Sequence, residues 1–160
     1  MVPFEKKFAD SIISAEKNLC DAQNITNSIL PNTGDSRILI KVLELLHKEA
    51  VSLISAILKY EYISKRIELS KEKDKNFEIF FEKCAAIYNL TKSEQDNLKK
   101  IIFLGKKHKQ SGFEFSHKRK AIILDDNLEM NELTTEQMNE FIILLKKLLF
   151  DFRNKISQHY

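Results

Sequence analysis

An apolar side chain recurs at almost every heptad position of residues 37–69, and this periodicity constrains the fold more than any other feature. One heptad series is Leu39, Leu46, Leu53, Tyr60 and Ile67, and a second is Leu43, Ala50 and Ile57. A third set widens the apolar arc: Ile38, Val42, Leu45, Ala56 and Ile63. Because one neighbouring helix cannot cover so wide an arc, we predict a central helix from Arg37 to about Leu69 with contacts on several sides.

Helical signals continue on both sides of this segment. The heptad series Phe8, Ala15, Ala22 and Ile29 predicts a first helix from Phe4 to Leu30, which ends at Pro31. Later helices are predicted to begin near Asn76, at the capping box Thr91–Glu94 and at a second capping box, Thr134–Gln137. The sequence thus predicts an all-α fold: an antiparallel four- to five-helix bundle that forms a single domain over residues 1–160.

Composition excludes other fold classes. The 160 residues include 3 Gly and 2 Pro, too few for the many tight turns of an all-β fold. No apolar run reaches the roughly 18 residues that would span a bilayer, and residues 1–7 lack the apolar core of a signal peptide. We therefore expect a cytoplasmic protein without a membrane partner.

A short β-hairpin is predicted at about residues 113–124, before the last helix. Phe113-Glu114-Phe115 alternates with the period of a strand, and Ala121-Ile122-Ile123-Leu124 is an apolar run rich in β-branched residues. Residues 116–120 connect the two segments and form a basic tip. Leu128, Met130 and Leu133 alternate in the acidic stretch that follows, which leaves a further extended segment open.

Basic residues cluster around this hairpin. Residues 106–120 contain Lys106, Lys107, Lys109, Lys118, Arg119 and Lys120 against one acidic residue, Glu114, whereas residues 125–140 contain six acidic residues and no Lys or Arg. Such a cluster can neutralise several phosphates, and Phe113 or Phe115 can stack on bases if exposed. The alternative is that the lysines solvate a loop while one or both phenylalanines pack on the bundle.

Arg153 and His159 suggest a different function. They fit the pattern of Arg, four to six residues and His that is typical of HEPN ribonucleases. There the Arg stabilises a phosphate, while the His acts as a general acid or base toward a 2′-hydroxyl. Since short patterns of this kind also arise by accident, Arg153 and His159 are candidates and no more.

No cofactor or metal is predicted. Cys20 and Cys84 lie far apart without a CxxC pair and are interpreted as small buried side chains, and 3 Gly leave no Gly-rich phosphate loop. His47 lies beside the apolar face of the central helix and is predicted to be half-buried or at the surface.

Several segments together resemble an uncharacterised archaeal family of small HEPN-like helical-bundle proteins. The similar segments are residues 35–39, 56–62, 77–85, 108–115 and 133–136. The family often has Pro where Gly112 stands in this chain. The resemblance implies a helical bundle in an archaeal cytoplasm, and it implies neither an activity nor a C-terminal Arg–His motif.

Three functions remain open. The first is a non-enzymatic interaction module whose basic hairpin contacts RNA, a ribonucleoprotein or the acidic surface of a partner protein. The second is a metal-independent HEPN-type ribonuclease that uses Arg153 and His159. The third is a structural homodimer joined through an apolar helix face.

Overall fold

Helices make up most of the chain, of which the computed structural model describes residues 3–158. The α-helical segments are α1 (Pro3–Asn24), α2 (Leu30–Thr33), α3 (Ile38–Ile63), α4 (Lys73–Ile79), α5 (Ala85–Ile87), α6 (Lys92–Gln110) and α7 (Thr135–Ser157). A π-helical turn, Ile25–Ile29, joins α1 to α2, and another, Phe80–Cys84, joins α4 to α5. The strands are β1 (Phe113–His117), β2 (Lys120–Leu124) and β3 (Met130–Leu133). The prediction of a predominantly helical fold is confirmed, and the extended segment left open after the hairpin forms a third strand, β3.

The helix α3 lies at the centre, in contact with α1, α6, α7 and β2. Its apolar positions are almost all buried, and Leu39, Leu43, Leu46 and Ile57 are fully enclosed. The helix is shorter than predicted, since it ends at Ile63 and not near Leu69. None of the helices in residues 3–158 is long and apolar enough to cross a bilayer.

A buried ionic contact ends α3 early. Lys65 has φ = 62°, in the left-handed region, which turns the chain so that the Arg66 N–H donates to the Glu61 carbonyl over 3.0 Å. The Arg66 guanidinium then pairs with the fully buried Glu61 carboxylate, and the Tyr88 hydroxyl donates to the same carboxylate over 3.0 Å. Burial and this carboxylate raise the pKa of Tyr88 above its ordinary value. The heptad pattern continues past Ile63 because Ile67 is still buried, although it is no longer helical.

The first π-helical turn changes which residues face the core. Ala15 and Ala22 are buried as the heptad series predicts, but Ile29 is 41% exposed and its neighbour Leu30 is 8% exposed. A π-helical turn inserts one extra residue into the helix, which moves the buried position one place along the chain. The helix also continues past Pro31 and ends at Thr33, where Gly34 adopts φ = 68°.

The three strands form one antiparallel sheet in the order β1-β2-β3. His117 pairs with Lys120, so the connection is the two-residue turn Lys118–Arg119 and not the five residues 116–120. One face packs on the helices through Ala121, Ile123 and Leu133, which belong to the main core. This packing directs the opposite, outer face of the sheet away from the bundle.

The central position of α3 is testable at Leu53, which is 5% exposed. We expect Leu53→Ala to lower the free energy of unfolding by about 2–5 kcal/mol, because it removes buried methyl groups and leaves a cavity. The matched control is Ile13→Ala on α1, whose side chain is 61% exposed, and it should change stability by less than about 0.5 kcal/mol. Equal losses for both variants in urea unfolding would contradict the placement of α3.

Candidate functional site

Two aromatic rings lie side by side on the outer face of the sheet. Phe113 and Phe115 alternate along β1, and their ring centroids are 5.5 Å apart with planes tilted by 53°. Phe113 is 59% exposed, and Phe115 is half-buried. Neither ring is among the residues of the main core or the partly buried residues packed against it.

The strand register extends this apolar surface across the sheet. Phe113 pairs with Leu124, and Leu124 pairs with Met130, which is 63% exposed. Phe115 pairs with Ile122, which is buried although it lies outside the main core. Large apolar side chains thus form two neighbouring rows, of which the row that contains Phe113 and Met130 is accessible and the row of Phe115 and Ile122 is largely covered. An accessible apolar row on a sheet is more typical of a binding surface than of a solvated sheet.

The turn that joins β1 to β2 places two cations at the end of this face. Lys118 has φ = 48° and Arg119 has φ = 65°, as in a type I′ turn. Such turns prefer Asn-Gly, because a left-handed backbone costs other residues roughly 1–2 kcal/mol each. Both side chains are exposed, and neither makes an ion pair with a residue whose side chain the structure describes, namely residue 6 and residues 8–158.

The other four predicted basic residues point to different neighbours. The amine of Lys120 pairs with Glu132 at 3.0 Å, that of Lys107 with Asp125 at 3.4 Å, and that of Lys106 with Asp74 at 3.9 Å. Lys109 lines a cavity beside α3. The six residues therefore do not form one continuous stripe, and the unpaired positive charge of the hairpin is at the turn.

Asp125 has a structural role at the opposite end of the sheet. Its carboxylate accepts hydrogen bonds from the backbone N–H of Glu129 at 3.0 Å and of Asn127 at 2.9 Å, which closes the connection from β2 to β3. These bonds and the nearby Lys107 ammonium lower the pKa of Asp125. The sheet is thus acidic at one end and basic at the other.

The second predicted pair, Arg153 and His159, lies only partly within the described residues. Arg153 lies on α7 and pairs with Glu16 of α1 at the surface. His159 lies outside residues 3–158. The ribonuclease motif therefore stays a prediction, as does the homodimer.

Two histidines that sequence analysis did not select lie where α6 meets α3. His108 is held between two carboxylates, with Nδ1 at 2.7 Å from Glu114 of β1 and Nε2 at 2.9 Å from Glu44 of α3. His47 is 8% exposed, deeper than predicted, and its ring lies against Gly105, where a Cβ would be 2.1 Å from His47 Cδ2. Gly105 in the interior of a helix was the available signal, because an interior Gly usually has a packing reason.

Burial lowers the pKa of His47, with smaller contributions from Lys109, Lys106 and His108. The ring is therefore neutral near pH 7. His108, by contrast, can donate to both carboxylates only when both of its ring nitrogens carry a hydrogen. No group of three or more His, Cys, Asp or Glu residues suited to a metal ion occurs in the described part of the chain.

Comparison with known proteins finds no family model, no curated protein and no solved structure that matches this chain. The resemblance to HEPN-like archaeal proteins consequently remains a prediction from sequence, and the geometry of the site carries the functional argument.

The lowered pKa of His47 predicts a pH effect on stability. The unfolded chain takes up a proton on this ring near pH 6.5, before the folded chain does. The contribution of the neutral His47 ring to the free energy of unfolding is therefore fully present above about pH 6.5 and is lost as the pH falls below that value. We expect His47→Gln to lose less unfolding free energy than wild type between pH 7.5 and 5.5 in urea titrations. The control is His117→Gln, at the exposed end of β1, and it should follow wild type. An identical pH dependence in all three proteins would contradict the burial of His47.

Proposed function

We propose that this protein is a non-enzymatic module that binds single-stranded RNA through the outer face of its sheet. The observation that carries the proposal is that an exposed ring, Phe113, lies beside a half-buried ring, Phe115, on the hairpin whose turn holds the unpaired Lys118 and Arg119.

The aromatic rings supply a stacking platform. A base stacked on an aromatic side chain contributes about 1–3 kcal/mol with little dependence on sequence. The neighbouring apolar row of Leu124 and Met130 offers further surface for a nucleobase or ribose. Exposed aromatic side chains on a sheet are one of the ways in which proteins hold unstacked RNA bases.

The turn supplies the phosphate contacts. Lys118 and Arg119 have no carboxylate partner within the described residues, so no existing ion pair must be broken when they approach a phosphate. Both occupy left-handed backbone positions that Asn and Gly occupy at lower cost. Backbone strain at charged, exposed residues supports a functional role for their side chains.

The strain and the charge can be separated by one double substitution. Lys118→Asn/Arg119→Gly should raise the free energy of unfolding by about 1 kcal/mol, because it relieves two left-handed residues. The same change should weaken binding of a fluorescent single-stranded RNA and flatten its salt dependence, since each lost phosphate contact removes about 0.7 from the logarithmic slope. We therefore expect this variant to be more stable than the wild type and to bind RNA more weakly.

Lys71→Ser/Lys75→Ser removes the same charge from two exposed positions away from the sheet, Lys71 before α4 and Lys75 in its first turn, where it pairs with Glu72 at 3.5 Å, and is the matched control. It should leave most of the binding and its salt slope in place. If the turn variant binds RNA as wild type does across the salt titration, the RNA proposal fails and an acidic protein becomes the partner to test.

Phe113→Ala tests the stacking contribution. We expect RNA affinity to fall by about 1–3 kcal/mol, while stability changes little because the ring is mostly exposed. Phe150→Ala on α7 is the matched control, since Phe150 is 63% exposed and lies on another face of the bundle. Equal affinities for the two variants in fluorescence anisotropy would exclude stacking on Phe113.

The same samples distinguish the module from the ribonuclease alternative. RNA recovered after incubation in EDTA should be intact. Cleavage that disappears in His159→Ala would replace the proposal with a metal-independent nuclease centred on the end of α7.

A further inference from the structure

A cavity of about 540 Å³ opens between α3 and the C-terminal end of α6. Its lining includes Glu44, His47, Lys48, Val51, His108 and Lys109. The cavity lies on the helices and not on the outer face of the sheet. Its volume suits a small organic molecule.

His47 contributes its imidazole ring to the lining of this cavity. The residue as a whole is 8% exposed, and neither ring nitrogen is bonded to a residue whose side chain the structure describes. The ring can therefore donate or accept a hydrogen bond within the cavity. A ligand that accepts a hydrogen bond from the ring would fit this arrangement.

The charges around His47 favour an anion. Lys48 and Lys109 line the cavity, and neither makes an ion pair within the described chain. The one carboxylate in the lining, Glu44, is already bonded to His108 at 2.9 Å and to Lys41 at 3.5 Å. Two free ammonium groups and one imidazole therefore face the space.

An apolar groove continues from the same cavity. Val51 lines both the cavity and a second space of about 420 Å³ along α3. That space is bordered by Ile54, Leu58, Tyr62, Leu69 and Phe77. Tyr62 is 50% exposed and Leu69 is 36% exposed, so large apolar side chains remain accessible along it. A ligand with a charged head at His47 can extend an apolar chain into this groove.

We propose that the cavity between α3 and α6 binds a small amphipathic anion, with its phosphate or carboxylate head held by His47, Lys48 and Lys109 and its apolar chain directed past Val51. This site is separate from the outer sheet face, and it stands whether or not that face binds RNA.

Octyl phosphate is the probe that tests the site. Isothermal titration with the full chain should show one site, and the ring signals of His47 should shift in spectra of protein labelled with ¹³C-histidine. Octanol lacks the charge and inorganic phosphate lacks the chain, so each should bind at least about tenfold more weakly. If inorganic phosphate binds as tightly as octyl phosphate, the assignment of an apolar chain to the groove is wrong. If octanol binds as tightly as octyl phosphate, the assignment of an anionic head to the cavity is wrong.

Lys48→Ala/Lys109→Ala should weaken octyl phosphate by about tenfold or more, because both ammonium groups are lost. Both side chains are exposed, so the variant should fold. Lys71→Ala/Lys100→Ala removes the same charge from exposed sites outside the cavity and should bind as wild type does. The proposal is overturned if octyl phosphate does not bind the wild-type protein, or if it binds the Lys48→Ala/Lys109→Ala variant as tightly as the wild type.

Vesicles distinguish two sources of such an anion. If phosphatidic acid vesicles displace octyl phosphate and phosphatidylcholine vesicles do not, the ligand is a lipid headgroup with its chain. If neither displaces it, the site takes a soluble single-chain anion.

Discussion

The close approach of α3 and α6 at Gly105 determines the arrangement of the rest of the molecule. His47 lies directly against the Gly105 backbone, at a distance that leaves no room for a Cβ. This contact fixes the end of α6, from which β1 starts three residues after Gln110. It also places His108 between Glu44 and Glu114. The absence of a Cβ at Gly105 therefore allows the burial of His47 and influences the depth of the neighbouring cavity and the position of the sheet.

The sheet then has two faces with different roles. Its inner face supplies Ala121, Ile123 and Leu133 to the helical core, and these residues account for how the sheet is held. On the outer face packing accounts for the buried Ile122, but not for Phe113 and Met130, which expose large apolar surfaces there. The turn beside them retains two cations in strained backbone positions. Packing against the helices explains the residue types of the inner face. The exposed residues of the outer face are therefore the candidates for a functional role.

Sequence periodicity predicts those parts of the fold that depend on local contacts. The central helix and the capping box at Thr91, whose side chain accepts from the Glu94 N–H at 3.1 Å, are of this kind. Periodicity does not predict where a π-helical turn shifts the buried face, as at Leu30, because no residue type requires that turn. Nor does it predict the buried Glu61, whose partners Arg66 and Tyr88 are specified by tertiary packing. Cys20 was predicted to be buried and is exposed, because tertiary packing decides which side chains of a helix are covered.

For the candidate site, the sequence predicts which aromatic and basic residues lie near the hairpin. It does not predict which of the basic residues form ion pairs. Lys120 is paired because strand pairing brings Glu132 close to it, and Lys107 is paired because the contact of α6 with the sheet brings Asp125 close to it. The strand β1 is an edge strand, since it pairs with β2 on one side only. Its Glu114 side chain meets His108 of α6 at 2.7 Å, whereas α3 is enclosed by α1, α6 and α7 around a buried apolar face. The amides of β1 should therefore exchange with solvent deuterium well before those of α3.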